Sequence, residues 1–181
     1  MGNTEPREMG RRKEMNINRE WGMPSRWTFD IIPIAKLLTR YEVGDGWIDP
    51  FCGLRSPAQF RNDLNPLNTH AEYHLEALDF LNIKDWEING ALFDPPYSLT
   101  QVSKSYNDIG LKFKGKENPT GGFPKVRQRL SELLKPNQIC ISFGWNTAGL
   151  GKVNNMEIIE ILIVPHGGNR NDTLVTVERK K

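Results

Sequence analysis

Apolar positions along this chain recur first at helical spacing and then in short runs, and the change of period outlines its elements. Ile34, Leu37, Leu38 and Tyr41 share one helical face, with Pro33 in the first turn and Gly44 and Gly46 as the stop. Residues 47–51 read as a strand that turns at Cys52-Gly53. Residues 59–64 and 73–77 predict two more strands, with Asp79-Phe80-Leu81 opening a helical turn, and residues 91–93 a fourth. Val126, Leu130, Leu133 and Leu134 mark a helix over 123–134, and a fifth strand covers 138–143. Runs at 158–164 and 174–177, joined through Pro165-His-Gly-Gly-Asn169, predict a terminal β-hairpin.

Three stretches lack such a pattern. Residues 1–20 are polar and charged and predict a mobile arm ahead of a single domain over 21–181. Residues 21–27 hold two tryptophans and predict a segment packed across the domain surface. Residues 98–122 carry no strong period and predict a substrate-facing loop, flexible at Asn118-Pro-Thr-Gly-Gly.

At 181 residues, 38% hydrophobic and 25% charged, the composition is that of a soluble globular domain. No apolar run approaches a membrane span, and the polar start is not a signal peptide, so the expected compartment is the cytoplasm. Cys52, Cys140 and three scattered histidines have no metal-ligand spacing, so no metal is expected. The net charge is only +2, but it is unevenly placed. Residues 44–97 carry nine acids against three bases, and residues 98–135 carry eight bases against three acids. The first region suits a cationic ligand and the second suits phosphates.

The chemistry concentrates at Gly90-Ala-Leu-Phe-Asp-Pro-Pro-Tyr-Ser98. Prolines cannot donate to a sheet, so the strand ends at Asp94, and ligands in open α/β sheets sit at the carboxyl ends of strands. A carboxylate, an exposed carbonyl and an aromatic ring delivered together suit a planar ring bearing an amino group. The amine of adenine or cytosine is a poor nucleophile because its lone pair is delocalised. Asp94 and the Pro95 carbonyl can hold its two N–H groups, and Tyr97 can stack on the ring, a contact worth roughly 1–3 kcal/mol. Acids recur beside the other strand ends, at Asp49, Asp63 and Glu76, and a positively charged ligand with hydroxyl groups accounts for them. Trp145 follows a strand and is the tryptophan best placed to stack, whereas Cys52 reads as a packing residue and His166 as a hairpin-loop residue.

These residues resemble the S-adenosylmethionine-dependent methyltransferases that modify exocyclic amines of DNA bases, especially small phage-type adenine enzymes. Asp94-Pro95-Pro96-Tyr97 resembles that family's catalytic tetrapeptide, and Asp49-Pro50-Phe51-Cys52-Gly53 its cofactor-binding strand and turn. Thr28-Phe29 with Pro33-Ile34 looks like the segment over the cofactor's methionine end. The resemblance implies a Rossmann-like α/β fold with a mostly parallel seven-stranded sheet ending in an antiparallel hairpin. It implies S-adenosyl-L-methionine as cofactor, held by Phe29, Asp49, Pro50, Phe51, Gly53, Asp63, Glu76 and Asp94. In that frame Asp63 takes the ribose hydroxyls, and Glu76 with Ala77 lies near the adenine ring. It implies methyl transfer to adenine N6 in DNA, in a prokaryotic or phage-infected cell.

Lys104, Lys112, Lys114, Lys116, Lys125, Arg127 and Arg129 lie just beyond the catalytic strand and are the expected phosphate contacts. Arg55 stands where the family usually has a second glycine, which puts the cofactor loop's path in question. The length leaves no room for a separate target-recognition domain, so the arm, the loop or a partner subunit in a homo- or hetero-oligomer is expected to choose the sequence. Two alternatives stay open: an enzyme acting on exocyclic amines of RNA, and a catalytically silent nucleic-acid-binding subunit of the same fold.

Overall fold

The computed structural model describes residues 14–113 and 122–181, and Lys114, Lys116 and most of the expected Gly-rich loop fall outside them. The elements run β1 (Asn16–Arg19), α1 (Ile32–Arg40), β2 (Trp47–Asp49), β3 (Phe60–Arg61), α2 (Ala77–Asn82), β4 (Gly90–Phe93), α3 (Leu99–Asn107), α4 (Pro124–Leu133), β5 (Ile139–Gly144), β6 (Met156–Val164) and β7 (Thr173–Lys180). The strands form one sheet in the order β1-β6-β7-β5-β4-β2-β3. Every pairing is parallel except those of β7 with β5 and β6, so the last two strands form the expected antiparallel hairpin.

Alternation along the central strands builds the two halves of the core. Leu92, Ile141 and Phe143 point to one face and pack with Ile34, Leu37 and Leu38 of α1. Ala91, Phe93 and Cys140 point to the other and pack with Phe80 and Leu81 of α2 and Val126 and Leu130 of α4. The sheet is thus sandwiched between helices, as a buried parallel sheet requires.

The expectations differ from the structure in three places. Residues 16–19 belong to the sheet: β1 pairs parallel with β6, from Asn16 opposite Glu160 to Arg19 opposite Ile163. All four residues are exposed, so backbone pairing at a sheet edge holds them without an apolar pattern to announce it. The strand expected at 73–77 is reduced to a single bridge between Asn62 and Tyr73, and Ala77 begins α2 instead. Nine of the residues expected to form a substrate-facing loop are α3, capped by the Ser98 hydroxyl, which accepts from the Gln101 N–H at 3.2 Å. One buried contact, Val102, suffices there because the rest of the helix faces solvent or a cavity.

The connection from β2 to β3 holds no helix. Adjacent parallel strands are normally joined through a helix, but residues 50–59 cross in turns alone. The fully buried Asp49 organises them: one carboxylate oxygen accepts from the Phe51 N–H at 3.0 Å and the other from the Ser56 hydroxyl at 2.6 Å.

Candidate active site

The chain passes from β2 outward to β3 and then returns to place β4 on the other side of β2. The carboxyl ends of β2 and β4 therefore flank a topological switch point, where ligands of open α/β sheets bind. A cavity of about 1350 Å³ opens there. Pro50, Phe51 and Gly53 after β2, Asn62 and Asp63 after β3, Asp94 to Tyr97 after β4 and Trp145 after β5 contribute to its wall.

At the end of β4, the Tyr97 hydroxyl donates to one Asp94 oxygen at 2.5 Å, and the Thr28 side chain also bonds to this carboxylate. Burial pushes the Asp94 carboxyl up to about 6, with the bonds from Tyr97 and Thr28 pulling the other way. A carboxylate has about four acceptor positions, so two bonds leave capacity for an incoming N–H. Pro95 and Pro96 line the same wall, and Tyr97 is fixed by its own N–H, which donates to Gln101 Oε1 at 2.6 Å.

The Pro50–Gly53 turn is shaped for close approach. Gly53 has φ +51°, a left-handed conformation that suits glycine, and nothing lies within 4 Å of where a Cβ would stand. Arg55 turns away from this space: its guanidinium lies 3.7 Å from Asp30, on the outside. The arginine in place of a second glycine therefore leaves the turn open. Phe51 lines the cavity with its ring edge-on to Phe93 and Phe123.

Asp63 and Glu76 both reach the cavity wall. Asp63 accepts from the Asn65 N–H at 2.8 Å and Asn68 Nδ2 at 2.9 Å, which aims its carboxylate. Glu76 precedes α2, and the Tyr106 hydroxyl of α3 bonds to both its oxygens, at 2.8 and 2.7 Å. That bond ties α3 across the cavity to α2. Sequence reading missed Tyr106, which lies in no recognisable motif, and took Thr28 only as part of the segment over the cofactor's methionine end.

Four expected site residues lie elsewhere. Asp49 is behind the wall as the organiser of the β2–β3 turn, and burial pushes its carboxyl up to about 7. Phe29 is in the core, its ring edge-on to Phe143 at 5.4 Å, and the neighbouring Thr28 takes the place on the cavity wall. Arg127 is half-buried under the sheet with its guanidinium 5.5 Å from the centre of the Phe93 ring, so it is turned away from any phosphate at the rim. Arg129 is likewise engaged, with Asp85 and Glu132. Lys104, Lys112 and Lys125 do border the cavity, and Lys104 also pairs with Asp108 at 2.7 Å.

Two further residues stand at the rim. Trp145 is 45% exposed and meets Tyr97 at 5.6 Å between ring centres. His166 bridges two segments, with Nδ1 2.9 Å from the Gly22 carbonyl and Nε2 2.8 Å from the Thr173 hydroxyl. Among the described residues, no helix is long and apolar enough to cross a membrane, and no cluster of His, Cys, Asp or Glu suits a metal ion.

No family model and no curated protein matches the chain. Among solved structures, TrmN from Thermus thermophilus aligns with a TM-score of 0.52 at 16% identity, over 83% of this chain. The chain spans about half of that structure, 49% of its length. The likeness is one of fold, and with the sheet order it identifies a Rossmann-like methyltransferase fold.

Proposed function

We propose that the protein is an S-adenosylmethionine-dependent methyltransferase that modifies the exocyclic amine of adenine, N6, in DNA. The observation that carries this reading is the placement of Asp94, Pro95, Pro96 and Tyr97 together on the wall of a cavity at the switch point of the sheet. The cofactor suits the residues beside them. Asp63 and Glu76 offer carboxylates for hydroxyl and amine donors, the Gly53 turn leaves open space, and Pro50, Phe51 and Ala77 give apolar wall. S-adenosylmethionine bound there supplies an electrophilic methyl group on a positively charged sulfur.

The protein's own residues then act by position and charge. Asp94 accepts an N–H of the target amine and turns the nitrogen lone pair outward, while Tyr97 bounds the ring. The nitrogen becomes positive as it gives up its lone pair, so the nearby Asp94 carboxylate stabilises the transition state more than the ground state. Nothing covalent forms with the protein. In a duplex the base must first leave the stack, at a cost of a few kcal/mol. Lys104, Lys112 and Lys125 are among the described cations on the cavity lining that can meet phosphates.

The deciding experiment incubates the protein with methyl-labelled S-adenosylmethionine and mixed DNA and RNA pools, then identifies the labelled nucleoside by mass spectrometry. N6-methyladenine in DNA is expected. Label only in RNA moves the substrate to RNA, and label in neither pool sinks the enzymatic reading.

A separate expectation concerns Asp63. Asp63→Asn keeps an acceptor for the Asn65 N–H but removes the charge. Charge-assisted bonds are worth about 1.5–3 kcal/mol, so the cofactor dissociation constant should rise about tenfold by calorimetry, since water replaces part of the loss. An unchanged constant would place the ribose elsewhere.

A further inference from the structure

Resting on the reading above, we infer that Trp145 and Tyr97 form a slot for an unstacked nucleobase, whose flanking phosphates are taken by Arg26 and Arg170 on the adjoining rim. The first observation is Trp145 itself. It follows β5 at the carboxyl edge of the sheet, lines the cavity and still leaves 45% of its surface open. Its ring meets Tyr97 at an interplanar angle of 65°, so the two rings form a corner rather than a stack. Tyr97 is held in that corner through its hydroxyl on Asp94, and a base entering there arrives beside the carboxylate that receives its amine. Each aromatic face that meets a base contributes roughly 1–3 kcal/mol without regard to sequence.

The second observation is the state of the two arginines. Arg26 and Arg170 are exposed at the cavity rim, and neither forms an ion pair with any described residue. Arg55, Arg61 and Arg129, by contrast, each face a carboxylate. Arg26 is also held in place, with its guanidinium 4.8 Å from the centre of the Trp27 ring. The two cations come from distant parts of the chain, and His166 joins those parts. It sits in the β6–β7 loop that carries Arg170 and bonds to the Gly22 carbonyl in the segment that leads to Arg26. Its other nitrogen is fixed by Thr173 at the start of β7. The arginines thus belong to one braced rim, and such a rim next to a stacking corner matches an anionic strand with one base turned inward. Both arginines lie outside the lysine-rich stretch that follows β4 in the sequence, and they add further cations to the same cavity lining.

The test uses fluorescence anisotropy with a labelled single-stranded DNA oligonucleotide and an RNA of the same sequence. W145A should weaken binding between about 5- and 160-fold, the range set by one stacked base. W145F, which keeps an aromatic face, should stay within about threefold. R26Q/R170Q should flatten the slope of log K against log salt by about 1.4, for two contacts on a single strand. S-adenosylmethionine affinity by calorimetry should not move in any of them. The oligonucleotide bound more tightly names the source of the strand. Wild-type protein that binds neither strand overturns the slot, as does W145A binding like wild type or losing cofactor affinity in parallel. If W145A melts early, the arginine pair decides, and an unchanged salt slope overturns the proposal. Wild-type protein that binds the strand but transfers no methyl group leaves the slot standing and overturns the enzymatic reading instead.

Discussion

Asp94→Asn should reduce turnover by two to three orders of magnitude while cofactor affinity changes no more than a few-fold. The magnitude follows from removing one preorganised polar contact to charge that develops in the transition state, which costs about 10²–10³ in rate. Asparagine keeps the shape and can still accept from Tyr97 and Thr28, so the loss reports the charge rather than the fold. Turnover near the wild-type value would end the assignment of Asp94 as the amine's acceptor. The wild-type protein carries the same test in its pH profile. Burial holds the Asp94 carboxyl at about 6, so methyl transfer should fall as pH drops through that value.

Acid unfolding does not mimic that fall. Asp49 and Asp94 both bind protons more tightly when folded than when unfolded, because burial penalises their charged forms. Between their ordinary range and about 7 and 6, respectively, lowering the pH therefore stabilises the fold through these two groups. Activity lost at pH 5.5 with an unchanged or higher melting temperature is the expected signature. A melting temperature that falls in step with activity would refute it.

The second large effect is structural. Glu160→Ala should lower stability by about 3 kcal/mol in urea unfolding, the low end of the cost of stripping one member from a buried charged network. Glu160 in β6 is 1% exposed. It accepts from both terminal nitrogens of Arg40 at 3.0 and 2.6 Å, from the Tyr41 hydroxyl at 2.7 Å and from Asn18 Nδ2 at 3.1 Å. One carboxylate thereby clamps the end of α1 and the edge strand β1 to the sheet. The low end is chosen because Arg40 is half in water and regains solvation when its partner goes. Burial pushes the Glu160 carboxyl up, but the bonds from Arg40 and Tyr41 outweigh it and leave it below its ordinary value. Its contribution is complete above the ordinary glutamate range and fades as pH falls through the lowered folded value, well under the window in which Asp94 titrates. A loss under 1 kcal/mol would show that β1 and α1 are held by packing and backbone pairing alone.

The sequence by itself determined the α/β class, the helix at 32–40, the buried strand at 90–93 and the antiparallel end of the sheet. Each rests on a local signal: an apolar period, a proline stop or a turn between two apolar runs. It also determined that Asp94 and Tyr97 stand at a strand end, because two prolines close the strand behind them. What joined Asp94 to Thr28, and Glu76 to Tyr106, was decided by tertiary structure, since these pairs lie 66 and 30 residues apart and no period links them. The sheet edge at 16–19 was equally invisible, because a strand held by backbone pairing and one polar side-chain bond leaves no apolar trace. Burial sorted the acids and the cations. Asp49 and Asp63 read alike in the chain, yet the short β2–β3 crossing consumes one carboxylate and leaves the other on the cavity wall. Lys125 and Arg127 are two residues apart, but a helix turns about 200° over that interval, so one reaches the rim and the other lies against Phe93.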